Sequence, residues 1–347
     1  MKKSHIVKLI LFPLILIGCA LSMNFLVFAK VDDSLTSYGQ FYQEIKDSLD
    51  VAFIGNSTLR EGFIPLDLWN DYGITSRGLS SSPTHPEVIK NAIPHVIDAQ
   101  HPKVMFIDIN GLTFQQKANA EFFIKQYYSS ITNVDYKKDL EEKYSYLKDK
   151  GEEFELFKNH NNFRQQQYWE SIVYPAQFKT KGYYPNRIIY KVKPLDTDPN
   201  LVMDLPSDGK EYYEDILSVC DTYKDEVKFV FTKMPRFNST KSQLDETYML
   251  RSIKDDIVLR GYTFYDFSEH LDDIGLLPNQ DFKDFEHLNH LGAKKFTNYF
   301  GKYLTEAINL KVKTHSDEVI DDFNKAYFDT YEFLKKIEDK LNRKANR

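Results

Sequence analysis

The sequence predicts an α/β protein, a three-layer α/β/α sandwich around a mostly parallel sheet. Three observations lead there. Short apolar runs, Val51 to Ile54, Val104 to Ile107 and Val227 to Phe231, have the length of buried strands. Segments of helical period separate them, and alternation of strands with helices builds parallel sheets. The 347 residues, 42% hydrophobic and 15% aromatic, can bury a large core in one or two domains.

Taken in order, the chain first offers Leu9 to Ala29, which holds no charged residue and matches the roughly 20 apolar residues that cross a bilayer. Lys2, Lys3 and Lys8 precede it, so the positive-inside bias keeps the N-terminus cytoplasmic and exports the rest. Residues 1–30 are therefore expected to form a cytoplasmic stub and transmembrane anchor, with a single pass in the cell membrane and the C-terminal domain extracellular. A cleaved signal peptide ending at Phe28-Ala29 is one rival, but the run exceeds the usual signal core. A lipoprotein signal at Leu16-Ile17-Gly18-Cys19 is another, and the apolar run continuing past Cys19 argues against it.

Asp33 to Ser48 reads as a helical lead-in with Tyr38, Phe41, Tyr42 and Ile45 on one face. After the first strand, a second is expected around Gly73 to Ser76. Pro83 to Gln100 follows as a helix kinked or broken near Pro94, and Lys103 to Asp108 as a third strand. Residues 113–210 form an insertion. Within it, Tyr136 to Phe157 is a charge-rich helix, and Phe178 to Tyr190 is an aromatic and basic packing loop or, alternatively, a substrate-facing lid. Alternation resumes with a helix at Tyr212 to Tyr223, a strand at Val227 to Phe231, a helix from Leu244 stopped at Gly261, a strand at Tyr262 to Phe267 and a helix from Ala293 to Leu310. Residues 31–310 thus make the main domain, and 311–347 a C-terminal amphipathic helix. In that helix Ile320, Phe323, Tyr327, Leu334, Ile337 and Leu341 recur at spacings of three and four, with Thr330 filling one position.

Formal net charge is −6, and no clustered Lys/Arg stripe marks a nucleic-acid partner. The two cysteines, Cys19 and Cys220, provide neither a disulfide within the folded domain nor a cysteine-rich metal site. No cofactor is expected. His85, His101 and His270 read as surface residues at loops or helix ends.

Two motifs carry the chemistry. Gly55-Asn56-Ser57-Thr58 directly follows the first strand, where sheet enzymes expose reactive groups. Asp284-Phe285-Glu286-His287-Leu288-Asn289 lies far downstream. Together they supply a serine nucleophile, a histidine base and a carboxylate to orient the base. Each has a plainer reading, as turn chemistry for the first and a helix cap for the second. His290 makes His-x-x-His with His287, but no third metal ligand is placed by the sequence, so no metal site is expected.

The arrangement resembles the SGNH (GDSL-like) hydrolase superfamily. Gly55-Asn56-Ser57 matches its first block, with asparagine for the usual aspartate. Gly78, in Ser76-Arg77-Gly78-Leu79-Ser80, matches the second. Asp108-Ile109-Asn110-Gly111 matches the third loosely. Asp284 and His287 match the fourth, followed by Leu288-Asn289-His290-Leu291-Gly292-Ala293, similar to cell-surface members. The resemblance covers roughly residues 48–111 and 225–308. It implies a Ser57-His287-Asp284 triad, an oxyanion hole from Ser57, Gly78 and Asn110, and an exported bacterial acyltransferase or esterase. The O-acyl groups of an envelope glycopolymer would be its substrate and a membrane-bound O-acyltransferase its partner. The alternative is a catalytically silent scaffold that binds such a polymer or acyltransferase.

Overall fold

The computed structural model describes residues 3–28, 38–148 and 180–345. Helix α1 is Lys3–Phe28; then come β1 (Val51–Gly55), α2 (Ser57–Gly62), α3 (Pro65–Tyr72), β2 (Ser76–Ser80), α4 (Pro86–Gln100) and β3 (Val104–Asp108). The insertion contributes α5 (Ala120–Ser130) and α6 (Val134–Lys143). The second half supplies α7 (Ser207–Tyr223), β4 (Lys228–Lys233), α8 (Lys241–Leu259), β5 (Thr263–Asp266), α9 (Leu271–Ile274), α10 (His290–Lys302) and α11 (Asp317–Ala345).

The five strands form one sheet in the order β2-β1-β3-β4-β5, with every neighbouring pair parallel. Period-two alternation distributes strand residues to both faces. Ala52, Ile54, Met105, Ile107, Phe229 and Phe231 enter one core with Val88, Ile93 and Val96 of α4 and Leu217 of α7. Val51, Phe53, Val104, Phe106 and Val230 enter the other with Leu68 of α3 and Phe296 and Phe300 of α10. Helices thus cover both faces, which gives three layers. The order reverses between β1 and β3. Connections leave those two strands in opposite directions, and a crevice opens beyond their C-terminal ends.

Several expectations need correction. The second strand begins at Ser76, where it was expected to end, because Gly73 adopts φ 66° and caps α3, its N–H donating to the Leu68 and Trp69 carbonyls. This strand is hard to read, since Arg77 lies buried within it, paired with Glu44. Helix α4 runs through Pro94 without a break, held by its apolar face against the sheet despite the lost backbone bond. His85 is buried rather than on the surface, and its Nδ1 accepts the Glu87 N–H at 3.1 Å to cap α4. The charged helix expected to reach Phe157 is α6, which ends at Lys143; residues 149–179, including Phe157 and Phe178, lie outside the described residues. Of the expected lead-in, 33–37 also lie outside, and 38–41 form a helical turn whose Tyr38 and Phe41 are buried.

The expected anchor falls on α1, with Ala29 outside the described residues. Leu9, Ile10, Phe12, Leu14 and Leu16 are exposed along it. Among the described residues, however, no helix is long and apolar enough to cross a membrane, so the structure does not supply the expected span.

Helix α11 lies along the domain. Val319, Phe323, Thr330, Leu334, Ile337 and Leu341 form its buried side. Phe323 packs its ring 5.5 Å from that of Trp69, with the Lys181 ammonium 4.4 Å above it. At the base of the sheet, the carboxylate of fully buried Asp50 accepts the Thr75 N–H at 3.0 Å and the Lys313 N–H at 2.6 Å, and meets His315 Nε2 at 3.0 Å.

If α11 completes this core, Phe323→Ala should destabilise the folded domain by about 3–5 kcal/mol, as large-to-small changes of buried aromatics do. Urea unfolding measures it; a loss under about 1 kcal/mol would mean that the helix adds little to the core.

Candidate active site

Two residues beyond the end of β1, the chain turns from strand to helix. Asn56 is extended (φ −90°, ψ −172°), and Ser57 opens α2. The Asn56 carbonyl accepts the N–H groups of Leu59 and Arg60 at 3.1 and 3.3 Å, and this closes the first turn. Its side chain does not cap the helix; Oδ1 instead accepts the Thr84 N–H at 2.8 Å, while the Thr84 hydroxyl donates to the Gly55 carbonyl at 2.6 Å. The asparagine in the motif therefore ties the Ser57 turn to the loop after β2. Gly55 is required on different grounds: a Cβ there would stand 2.7 Å from the Asp108 Cβ.

The partner loop is folded around Asn289. Its Nδ2 donates to the carbonyls of Gln280 and Ile188 at 2.7 and 3.1 Å, and its Oδ1 caps α10 by accepting the Leu291 and Gly292 N–H groups. Gly292 must lack a side chain, because a Cβ would come within 2.3 Å of the Asp281 carbonyl. Loop and helix cap fix where His287 emerges.

Ser57, His287 and Asp284 meet. Ser57 Oγ lies 2.8 Å from His287 Nε2, and His287 Nδ1 lies 3.0 and 3.1 Å from the two Asp284 carboxylate oxygens. Asp284 Oδ1 also accepts the Glu286 and His287 N–H groups at 2.8 and 2.7 Å. Burial would raise this carboxyl, but the bond and charge of His287 and the two N–H groups outweigh it and hold the carboxyl down at about 2. The acid stays ionised at neutral pH and favours the imidazole tautomer with its proton on Nδ1, which leaves Nε2 free to accept from Ser57.

Charge pairs clamp the two loops. Lys283, beside Asp284, reaches Glu61 of α2 at 2.5 Å, and the same Glu61 oxygen accepts from Asn186 at 2.6 Å. Arg236, buried after β4, donates to Glu286 at 3.0 Å and to Glu246 of α8 at 2.7 Å. Sequence reasoning missed this clamp; the only available signal was Met234-Pro235-Arg236 at the expected strand end.

The three oxyanion candidates are placed differently. Ile54 pairs with Ile107, so Ser57 and Asn110 each lie three residues past level positions, on either side of the switch point. Asn110 is buried, and its Oδ1 has no hydrogen-bond partner among the described residues. Gly78 is not brought to the site. It pairs with Phe53 in the middle of β2, roughly 7 Å below the strand end at about 3.3 Å per residue. In the loop that does reach this level, the Ser81 N–H donates to Thr84 Oγ1 at 2.9 Å.

His290 turns away from His287 and hydrogen-bonds the Tyr183 hydroxyl at 2.9 Å; burial and nearby Lys294 lower its pKa to about 3. Among the described residues, no group of three or more His, Cys, Asp or Glu is placed to hold a metal. Two grooves, of about 460 and 280 Å³ and sharing Lys294 and Glu338, lie between α10 and α11; neither is lined by Ser57 or His287. Chemistry rather than groove size singles out the serine.

No protein-family model matches the chain, and no curated protein matches it in sequence.

The depressed Asp284 carboxyl has a pH signature. A carboxyl whose folded pKa lies below its unfolded value stabilises the fold above the latter, and that contribution is lost as pH falls through the folded value. Asp284→Asn should therefore unfold more easily than the native protein above about pH 4, with the difference fading toward pH 2. Paired thermal melts across this range check it, and a gap that persists at pH 2 would refute it.

Proposed function

We propose that this protein is an extracytoplasmic serine esterase or acyltransferase, acting through an acyl-enzyme on the O-acyl groups of a cell-envelope glycopolymer. The observation that carries the chemistry is the continuous chain from Ser57 Oγ through both nitrogens of His287 to Asp284. A serine hydroxyl is a weak nucleophile at neutral pH and needs such a base. His287 Nε2 takes the Ser57 proton as Oγ attacks the acyl carbonyl. Asp284 holds the ring and balances the imidazolium, which then returns the proton to the departing alcohol. Water or a sugar hydroxyl next attacks the acyl-Ser57, with His287 again the base. The Ser57 N–H and the Asn110 amide are the donors we assign to the oxyanion, and each such donor is worth about 3 kcal/mol of barrier.

The substrate class rests on the resemblance to exported SGNH hydrolases, with Gly78 no longer part of the site. The exposed apolar side chains of α1 favour attachment to a membrane, on whose outer side a membrane-bound O-acyltransferase would supply the acyl group.

A serine-directed fluorophosphonate should label the native protein. Ser57→Ala should abolish labelling, His287→Ala nearly so, and Asp284→Asn should retain about 10⁻⁴ of the turnover of an activated ester. Offering acylated glycan with a second sugar then separates the chemistries, free acid marking an esterase and acyl sugar a transferase. Folded native protein that neither labels nor turns over, yet binds glycan, would establish the scaffold reading instead.

A further inference from the structure

Below the nucleophile lies a carboxylate that the mechanism above leaves without a role. Asp108 ends β3 and is 1% exposed, yet donors from two site segments converge on it. The Asn110 N–H donates to Oδ1 at 3.0 Å, and the Thr58 hydroxyl reaches Oδ2 at 3.4 Å. Thr58 follows Ser57 in the chain. The other donor belongs to Asn110, across the switch point between β1 and β3. Gly55 lets the carboxylate stand this close, since a Cβ there would lie 3.3 Å from Oδ2.

We infer that Asp108 is a positioning residue, whose ionised carboxylate holds the Asn56-Ser57-Thr58 turn and Asn110 together and so sets the spacing of the two oxyanion donors. The inference rests on the acyl-enzyme reading of the site. The alternative is a purely structural aspartate, and rate measured against stability separates the two. Burial raises the Asp108 carboxyl to about 6; Glu246 on α8 pushes the same way, while the N–H groups of Asn110 and Asn56 and the guanidinium of Arg236 after β4 pull it back. A carboxyl with a raised folded pKa favours the fold when protonated and loses that advantage as pH rises through the folded value. At neutral pH the ionised group is therefore held in place against the stability of the domain.

Asp108→Asn keeps the shape and removes the charge, and Asp108→Ala removes the acceptor altogether. For Asp108→Asn we expect fluorophosphonate labelling and ester turnover to slow by about 10- to 100-fold in the rate constant, as for loss of alignment at an oxyanion donor, with half-saturating concentration unchanged. Its melting temperature should equal or exceed the native value above pH 6, an advantage that disappears below about pH 4. Asp108→Ala, corrected for its folded fraction by circular dichroism, should be slower still. Rates per folded molecule within twofold of native in both variants, or a lower melting temperature at pH 7 with unchanged rate, would overturn the inference while leaving the esterase reading intact. Native protein that fails to label would overturn both.

Discussion

The hydrogen bond between Ser57 and His287 joins the first residue of α2 to the loop before α10, and the surrounding charge pairs and caps hold the two segments still. Hydrogen bonds of 2.8 Å between exposed loops would ordinarily fray, because each loop gains backbone entropy by moving. Here Glu61 grips Lys283 from the nucleophile side, and Arg236 grips Glu286 from beneath. Both clamps touch residues adjacent in sequence to Asp284 and His287, so a displacement of His287 also strains two part-buried ion pairs. Each buried partner has a second anchor, Arg236 at Glu246 and Glu61 at Asn186, which keeps the clamp itself in place. Rigidity at the site is thus secured by charge as well as by apolar packing.

The sheet determines why these residues meet at all. Its order places β1 and β3 side by side with their outgoing connections diverging, so Ser57 and Asn110 follow the ends of adjacent strands at the crevice. The crevice floor is polar. Asp108 and Arg236 lie buried there, with Glu246 behind them, where a Leu or Ile would pack more simply. The second apolar face of the sheet, from Phe53 and Phe106 to Phe300, lies beneath and supplies the stiffness.

How much of this was legible in the sequence follows from the range of the interactions. Strands β1, β3 and β4 are short apolar runs, a local signal, and they fall where composition places them. The Ser57, Asp284 and His287 geometry was legible because each motif is contiguous. Strand β2 was misplaced because its residues, Ser-Arg-Gly-Leu-Ser, are buried by a partner elsewhere in the chain: Glu44 accompanies Arg77, and no periodicity records that pairing. Gly78 was carried to the site with that error. The Lys283–Glu61 and Arg236–Glu286 clamps, separated by many residues or by two helices and a strand, were equally invisible, as was the role of Asn56 toward Thr84.

The base of the sheet, where Asp50 is bonded by Lys313 from 263 positions downstream, has a consequence for synthesis. Ser57 and His287 are 230 positions apart. At translation rates of about 5–20 residues per second, Ser57 leaves the ribosome on the order of 10–50 s before His287 does. Strand β4 emerges within that interval, so at first β3 has one edge uncovered while Ser57 lacks its hydrogen-bond partner. Covering of that edge precedes the Ser57–His287 bond, and Lys313 closes the base of the sheet after both.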